Sequence, residues 1–210
     1  TIAVQSTGIN DATSFSTEMT AAVLVNWVGD HPVQVERKAV RVSSSRLEVR
    51  GSLAQGIRFR GHILHHLALD ISDVAFHAEG DQASFICLLN AEFHHSSVTV
   101  THTTSTVLAR TRYAASLFGA TSGRNEHVVW SVVNSSFTSS AHRDVGALVY
   151  LSQFAYLDNT AKLTATHVQC NRTSVGHNAA VYFTALELAG AGISMSGSHW
   201  SIDGGSEWRV

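Results

Sequence analysis

The sequence predicts an all-β chain, a single-stranded parallel β-helix (solenoid) of about six to seven coils with a period near 30 residues. Three observations carry this. Apolar and polar residues alternate over short stretches, as along a half-buried strand. Each such stretch skips one beat midway: "VTVTHTTSTV" at Val98–Val107 alternates as far as Thr103, sets Thr104 beside it, and resumes. The skip then recurs along the chain at steps of roughly 30 residues.

Laid on the template apolar-x-apolar-x-apolar-x-x-apolar-x-apolar, the copies start at Ile2, Val40, Leu67, Val98, Val128, Ala161 and Ile193. They end at Asp11, Val49, Phe76, Val107, Phe137, Cys170 and Ile202. About four in five template positions are apolar, against about one in seven of those between, so one face turns inward. The first copy sets Ser6 and Asp11 inward. The second carries Val40, Val42, Leu47 and Val49. The third, Leu67 to Phe76, is apolar at every inward position, and the fourth sets His102 and Ser105 inward. The fifth contributes Trp130, the sixth ends on Cys170, and the seventh holds Met195 and Trp200. A bulge or bend at the skip would carry the inward face round a corner.

An apolar run follows each of the first six copies: "AAVLV" at 21–25, "GIRF" at 56–59, "SFICLL" at 84–89, "ASLFG" at 115–119, "GALVYL" at 146–151 and "AAVYF" at 179–183. Each unit is thus a cornered strand, a polar turn, a second strand and a variable connection. A helical solenoid would show apolar residues at i, i+3, i+4 and i+7, and a propeller blade needs four strands in a longer unit.

Composition bounds the rest. The single proline suits strands paired on both edges. A net charge of −2, from 14 basic and 16 acidic residues, gives no field for nucleic acid or an anionic membrane. No leader and no long apolar run is visible, and both ends fall inside a coil. Residues 1–210 therefore read as one β-helix segment of a longer repeat protein, with any membrane anchor in parts of the chain beyond it. Cys87 and Cys170 fall about three coils apart, too far for a disulfide, and read as two buried thiols.

Stacking makes equivalent positions neighbours. Three residues before the end of each copy the ladder reads Gly8, Arg46, Asp73, Thr104, Asn134, His167 and His199, a candidate outer-face binding ladder. Arg46 and Asp73 would be opposite charges one coil apart. His167 and His199 would stack and could share a metal ion, but a third ligand is missing beside them. A second, Thr-rich ladder runs Gln5, Ser43, Asp70, Thr101, Ser131, Thr164 and Ser196. "HILHH" at 62–66 and the pair His94–His95 make the chain look metal-rich, but His62, His65 and His66 fall in the variable connection and no Cys or carboxylate sits at ligand spacing, so no metal or cofactor is expected. Polysaccharide cleavage on such a fold needs stacked carboxylates. The ladders Asp81, Arg112, His142, Val175, Glu207 and His77, Leu108, Thr138, Asn171, Asp203 set no two acids in adjacent coils, so no catalytic residue is assigned. Asn134-Ser-Ser and Asn171-Arg-Thr are N-glycosylation sequons at outward corner positions.

"GALVYLS" paired with "NAAVYFTALELAGAGISMSGSHWSIDGGSEWRV" resembles the dispersed gene family of trypanosome surface proteins, over most of residues 128–210. The resemblance implies a β-helix-like ectodomain of a surface glycoprotein with an adhesive or host-facing role, and it carries over no site residues. The functional expectation is a non-enzymatic segment, at the cell surface or secreted, that binds extracellular matrix, a receptor or a glycan. The alternatives are a fragment of a pectin-lyase-like polysaccharide lyase or glycoside hydrolase, and a structural spacer.

Overall fold

The computed structural model describes residues 36–141 with their side chains, apart from 38, 61–62, 89–90, 112 and 115–125, and elsewhere describes the backbone of the strands. The fold is an all-β parallel solenoid with a period near 29 residues, and about three turns are described in full. Every pairing is parallel and joins one coil to the next. Ala39–Arg50 lies on Ala68–Gly80, which lies on Ser97–Thr101 and Thr104–Ala109. These in turn meet Arg124–Val133 and Ser136–Ala141.

Each coil has four sides. The cornered strand supplies two of them, for instance 68–72 and 75–80. The apolar run supplies the third: Leu53–Arg60 pairs with Gln82–Leu89, which pairs with Ala114–Ala120. The connection supplies a fourth, short strand: Val33–Glu36, His62–His65 and Glu92–His94 stack on one another. This strand is not legible from residue pattern, because three or four residues are too few to show a period.

In the coils described with their side chains, two corners are each turned by one residue with positive φ. At one corner these are Arg37, His66, His95 and His127, with φ of 47°, 54°, 48° and 52°. At the other they are Ser44, Asp73, His102 and Asn134, with φ of 47°, 55°, 48° and 49°. A single left-handed residue between extended neighbours swings the chain through a bend, and Asn, Asp and His tolerate that region best among residues with a Cβ. The residue after it drops into the interior: Leu67, Val74, Ser96, Val128, Thr103 and Ser135 are all buried. The hydroxyls there are satisfied locally. Ser96 Oγ donates to the His94 carbonyl at 2.9 Å, Thr103 Oγ1 to Thr101 at 2.9 Å and Ser135 Oγ to Val133 at 2.9 Å. The amides of Leu67 and Thr103 donate in turn to Ser96 Oγ and Ser135 Oγ of the next coil, each at 3.1 Å.

The skipped beat is therefore at Thr101–His102, not Thr103–Thr104. His102 points outward at the corner, and Thr103, only 1% exposed, points in. The second copy shares this shift, its corner falling at Ser43–Ser44, whereas the third and fifth copies have their corners where the template sets them, at Ser72–Asp73 and Val133–Asn134, and differ only in where they begin. Val40, Leu69, Val98, Trp130, Ala161 and Ile193 form one inward column in register, so the third and fifth copies start two residues later than the template places them. Leu67 and Val128 drew the template forward because they are the apolar residues that follow the preceding corner. At the amino end, Ile2–Gln5 pairs with Leu47–Arg50 and not with the strand half that begins at Val40.

The interior is one apolar cluster of such columns, for example Leu47 with Phe76 and Val49 with Ala78 and Val107. Phe76 and Phe85 stack with ring centroids 4.6 Å apart, and Phe59 meets Phe93 edge-on at 5.8 Å. Gly56 makes the first stack possible: a Cβ there would lie 2.6 Å from the Phe85 carbonyl oxygen and 2.7 Å from the Phe76 ring. Gly56→Ala should cost about 1–3 kcal/mol by overpacking. His102→Val should cost about 1–2 kcal/mol through its left-handed backbone, with His102→Gly restoring most of it. Urea denaturation of the three variants checks both, and an unchanged midpoint in either would count against the packing described.

Candidate functional site

The outer columns follow directly from the register. Arg46 shares a column with Ala75, Thr104 and Ser136, and farther along His167 pairs with Ser136 and with His199. Arg46, Thr104, His167 and His199 are thus brought into one column. Asp73 and Asn134 are not: both sit at the corner two positions earlier, with Ser44 and His102. The ion pairs run elsewhere, Arg41 to Asp70 at 3.8 Å and Arg50 to Glu79 at 3.9 Å, and Arg50 also pairs with Glu48. All three are exposed, and such pairs contribute little to stability. Gly8 and the side chains of His167 and His199 lie outside the described residues.

The Thr-rich ladder divides in the same way. Ser43, Ser72, Thr101, Val133, Thr164 and Ser196 form one column, while Asp70 and Ser131 belong to the neighbouring column of Arg41, Asp70, Thr99, Ser131, Lys162 and Ser194. On the next side, His77, Thr106 and Thr138 align. Gln5 pairs with Arg50, away from both columns. Thr99, Thr101, Thr104, Thr106, Ser136 and Thr138 together make an uncharged, hydroxyl-bearing surface across two sides of adjacent coils.

Of the sequons, Asn134 is exposed at its corner, with Nδ2 3.4 Å from His102 Nε2. Asn171 pairs with Asp203 in the strand register, and its side chain lies outside the described residues. Residues 112, 142, 175 and 207 of the first carboxylate ladder are also outside them, as are the side chains of Asn171 and Asp203 in the second.

The connection that carries these histidines is itself ordered into a short strand and a corner. His65 and His94 are strand residues, and His66, His95 and His127 are corner residues. Their rings form two stacked rows. His66, His95 and His127 lie 5.4 and 4.8 Å apart between centroids, and His65 and His94 lie 4.9 Å apart. His94 also meets Glu92 through Nε2 and Glu126 through Nδ1, each at 3.5 Å. Glu92 stands two residues before His94 on the same strand, whereas Glu126 arrives from the next coil and escapes a spacing search within one segment. Among the described residues no three His, Cys, Asp or Glu side chains are placed together to hold a metal ion.

A second polar group is buried on the third side. Gln55, Arg58, Ser84 and Cys87 are each at most 3% exposed, and Arg58 Nη1 donates to Gln55 Oε1 at 2.9 Å. Gln55 stacks on Ser84 and Arg58 on Cys87. Burial pushes the Arg58 guanidinium below its ordinary value. Burial pushes the Cys87 thiol up to about 12, against the smaller opposing pull of Arg58 and Ser84. Ser84 Oγ lies beside the sulfur but is not aligned as a formal hydrogen bond, so its pull is weak. Cys87 is a free, buried thiol, as the sequence implied, and Cys170 lies outside the described side chains.

Comparison with known proteins finds no family, no curated protein and no solved structure that matches this chain.

Cys87 should resist alkylation by iodoacetamide near pH 8 in the folded chain and react once urea unfolds it. Because its folded value lies above its unfolded one, the thiol contributes stability fully below about pH 9 and loses it as pH rises toward 12, at about 1.4 kcal/mol per unit. Cys87→Ala should flatten that part of the stability–pH curve. A slope unchanged by the substitution would contradict the burial.

Proposed function

We propose that this chain is a non-enzymatic binding segment of a surface or secreted β-solenoid, retaining an extended ligand along its outer columns. The observation that supports the reading is the hydroxyl-bearing surface of Thr99, Thr101, Thr104, Thr106, Ser136 and Thr138. Equivalent groups repeat there at the strand spacing of about 4.8 Å. A rigid array of small donors and acceptors meets a ligand that itself repeats, such as a glycan or an extended matrix or receptor segment, without the entropic cost of ordering long side chains. The resemblance to the dispersed gene family of surface proteins and the exposed sequon at Asn134 point to the same setting.

Polysaccharide cleavage is the runner-up, and one pair of carboxylates bears on it. Glu92 and Glu126 both lie 3.5 Å from His94, so their carboxylates fall within about 10 Å of each other. The imidazole fills the space between them, which leaves no cleft for a sugar ring. That arrangement favours binding over hydrolysis.

The test is retention of the chain on immobilised glycans and matrix proteins, compared with a Thr99→Glu/Thr106→Glu variant. Binding by the parent chain and at least about a tenfold loss in the variant is expected, since each change sets a desolvated charge in the contact. A chain that retains no ligand at all would be a spacer, and the reading would be abandoned.

A further inference from the structure

Charge on the outer face changes abruptly from coil to coil, and the change falls at the edge of the hydroxyl-bearing surface. On the two sides built by Ala39–Arg50 the outward residues include Arg41, Arg46, Glu48 and Arg50. On Ala68–Gly80 they include Asp70, Asp73 and Glu79, with His77. The next two coils continue the same columns, from Asp70 to Thr99 and Ser131 and from Glu79 to Leu108 and Ser140. Residues 99–108 and 131–140 hold no Asp, Glu, Lys or Arg, and His102 is their one titratable side chain. Lys162 follows Ser131 in register, so the uncharged zone is two coils deep.

The charged coils balance one another. Three arginines face four carboxylates across them. Arg41 meets Asp70 at 3.8 Å, Arg50 meets Glu79 at 3.9 Å, and Arg50 also pairs with Glu48. A charged ligand is steered and held by a field of opposite sign. Charges paired among themselves beside an uncharged zone supply none.

The zone is equally poor in what holds a protein segment. Docking of an extended peptide uses an unpaired strand edge or apolar pockets. Here the strands of 97–101 and 104–109 are paired with a coil on either side. Among the described residues Val129 is the large apolar side chain left exposed, and it lies outside the zone. Phe137 points into the core, so no aromatic face is offered for stacking. What remains is hydroxyl groups. Each donates one hydrogen bond and accepts two, as a sugar hydroxyl does. The threonines are β-branched and restricted at χ1, so little freedom is lost when they are engaged.

We propose that the partner of this surface is an uncharged polysaccharide, held by hydrogen bonds without ion pairs. This rests on the binding proposed above and narrows its ligand to one class. Asp70, Asp73 and Glu79 border the zone and disfavour acidic or sulfated polymers.

The experiment measures retention of the chain on neutral polysaccharides (a β-glucan, a mannan and a galactan), on heparin, hyaluronan and polygalacturonate, and on collagen. The parent chain should bind at least one neutral polysaccharide, with an affinity that changes by less than about twofold between about 50 mM and about 1 M sodium chloride, because no ion pair is screened. Thr99→Val/Thr106→Val keeps the β-branched shape, removes two hydroxyls and should weaken that binding at least about fivefold. Thr99→Ser/Thr106→Ser should stay within about twofold of the parent. Retention on acidic polymers or collagen alone, an affinity that falls with salt, or a valine pair that binds like the parent overturns this inference and leaves the binding reading in place. A chain retained by nothing removes both. Should the valine pair melt below the parent, Thr104→Val/Thr138→Val at a matched thermal midpoint takes its place, with the same outcomes.

Discussion

The structure depends on one constraint: backbone hydrogen bonds run between coils, so each coil must turn where its neighbours turn. Within a side a parallel ladder tolerates no slip, since one residue would exchange the inward and outward faces, and the offsets between coils fall at breaks in the register such as that between Glu126 and Val128. Two columns of left-handed residues enforce this. Arg37, His66, His95 and His127 turn one corner, and Ser44, Asp73, His102 and Asn134 the other. After six of these eight the next residue is held inside, either by apolar contact, as at Leu67 and Val74, or by a hydroxyl bonded two residues back, as at Ser96, Thr103 and Ser135. The corner hydroxyls also accept amides of the adjacent coil, so a local turn and the inter-coil ladder share the same atoms.

This decides where chemistry can collect. Along a side, outward residues alternate with core residues and stand two apart. At a corner two successive side chains project outward, and stacking repeats the pair in every coil. Corners therefore concentrate polar groups, and the imidazole rows and the Asn134–His102 contact are found there. The third side is different. Gly56, Phe85 and Ile86 crowd the core, and the alternation fails. Gln55, Arg58, Ser84 and Cys87 are left buried on the other face. The Gln55–Arg58 hydrogen bond offsets part of the cost of keeping a guanidinium out of water.

Much of the fold was legible because its signal repeats. The alternation, the period and the second apolar strand all follow from burial of one face, and burial writes itself into residue type. The exact register was less legible. A template that rewards apolar residues slides toward Leu67 and Val128, since it cannot tell a residue behind a corner from one along a side. The corner itself is marked by polar residues such as Asp73, His102 and Asn134, which a hydrophobic template scores as faults. Reading them as left-handed residues would have aligned the copies, because Asp and Asn recur two positions after the inward-facing Ile71 or Val132. The pairing of His94 with Glu126 was out of reach by the same error, since it requires the register of two coils to be right at once.

Histidine's abundance in this chain has two separate causes, and separating them decides how the corner is read. His66, His95, His102 and His127 sit where the backbone demands a residue that accepts positive φ, and Asn or Asp serves as well in the equivalent coils. Their identity is explained by conformation. His65 and His94 are in extended backbone, where β-branched or aromatic residues fit better and nothing in the turn favours imidazole. His94 is also flanked by the Glu92 and Glu126 carboxylates, each at 3.5 Å, and the ring of His65 stacks on it. Conformation accounts for the outer row and electrostatics for the inner one, so a search for function at this corner begins with the inner row, although the outer one is more exposed.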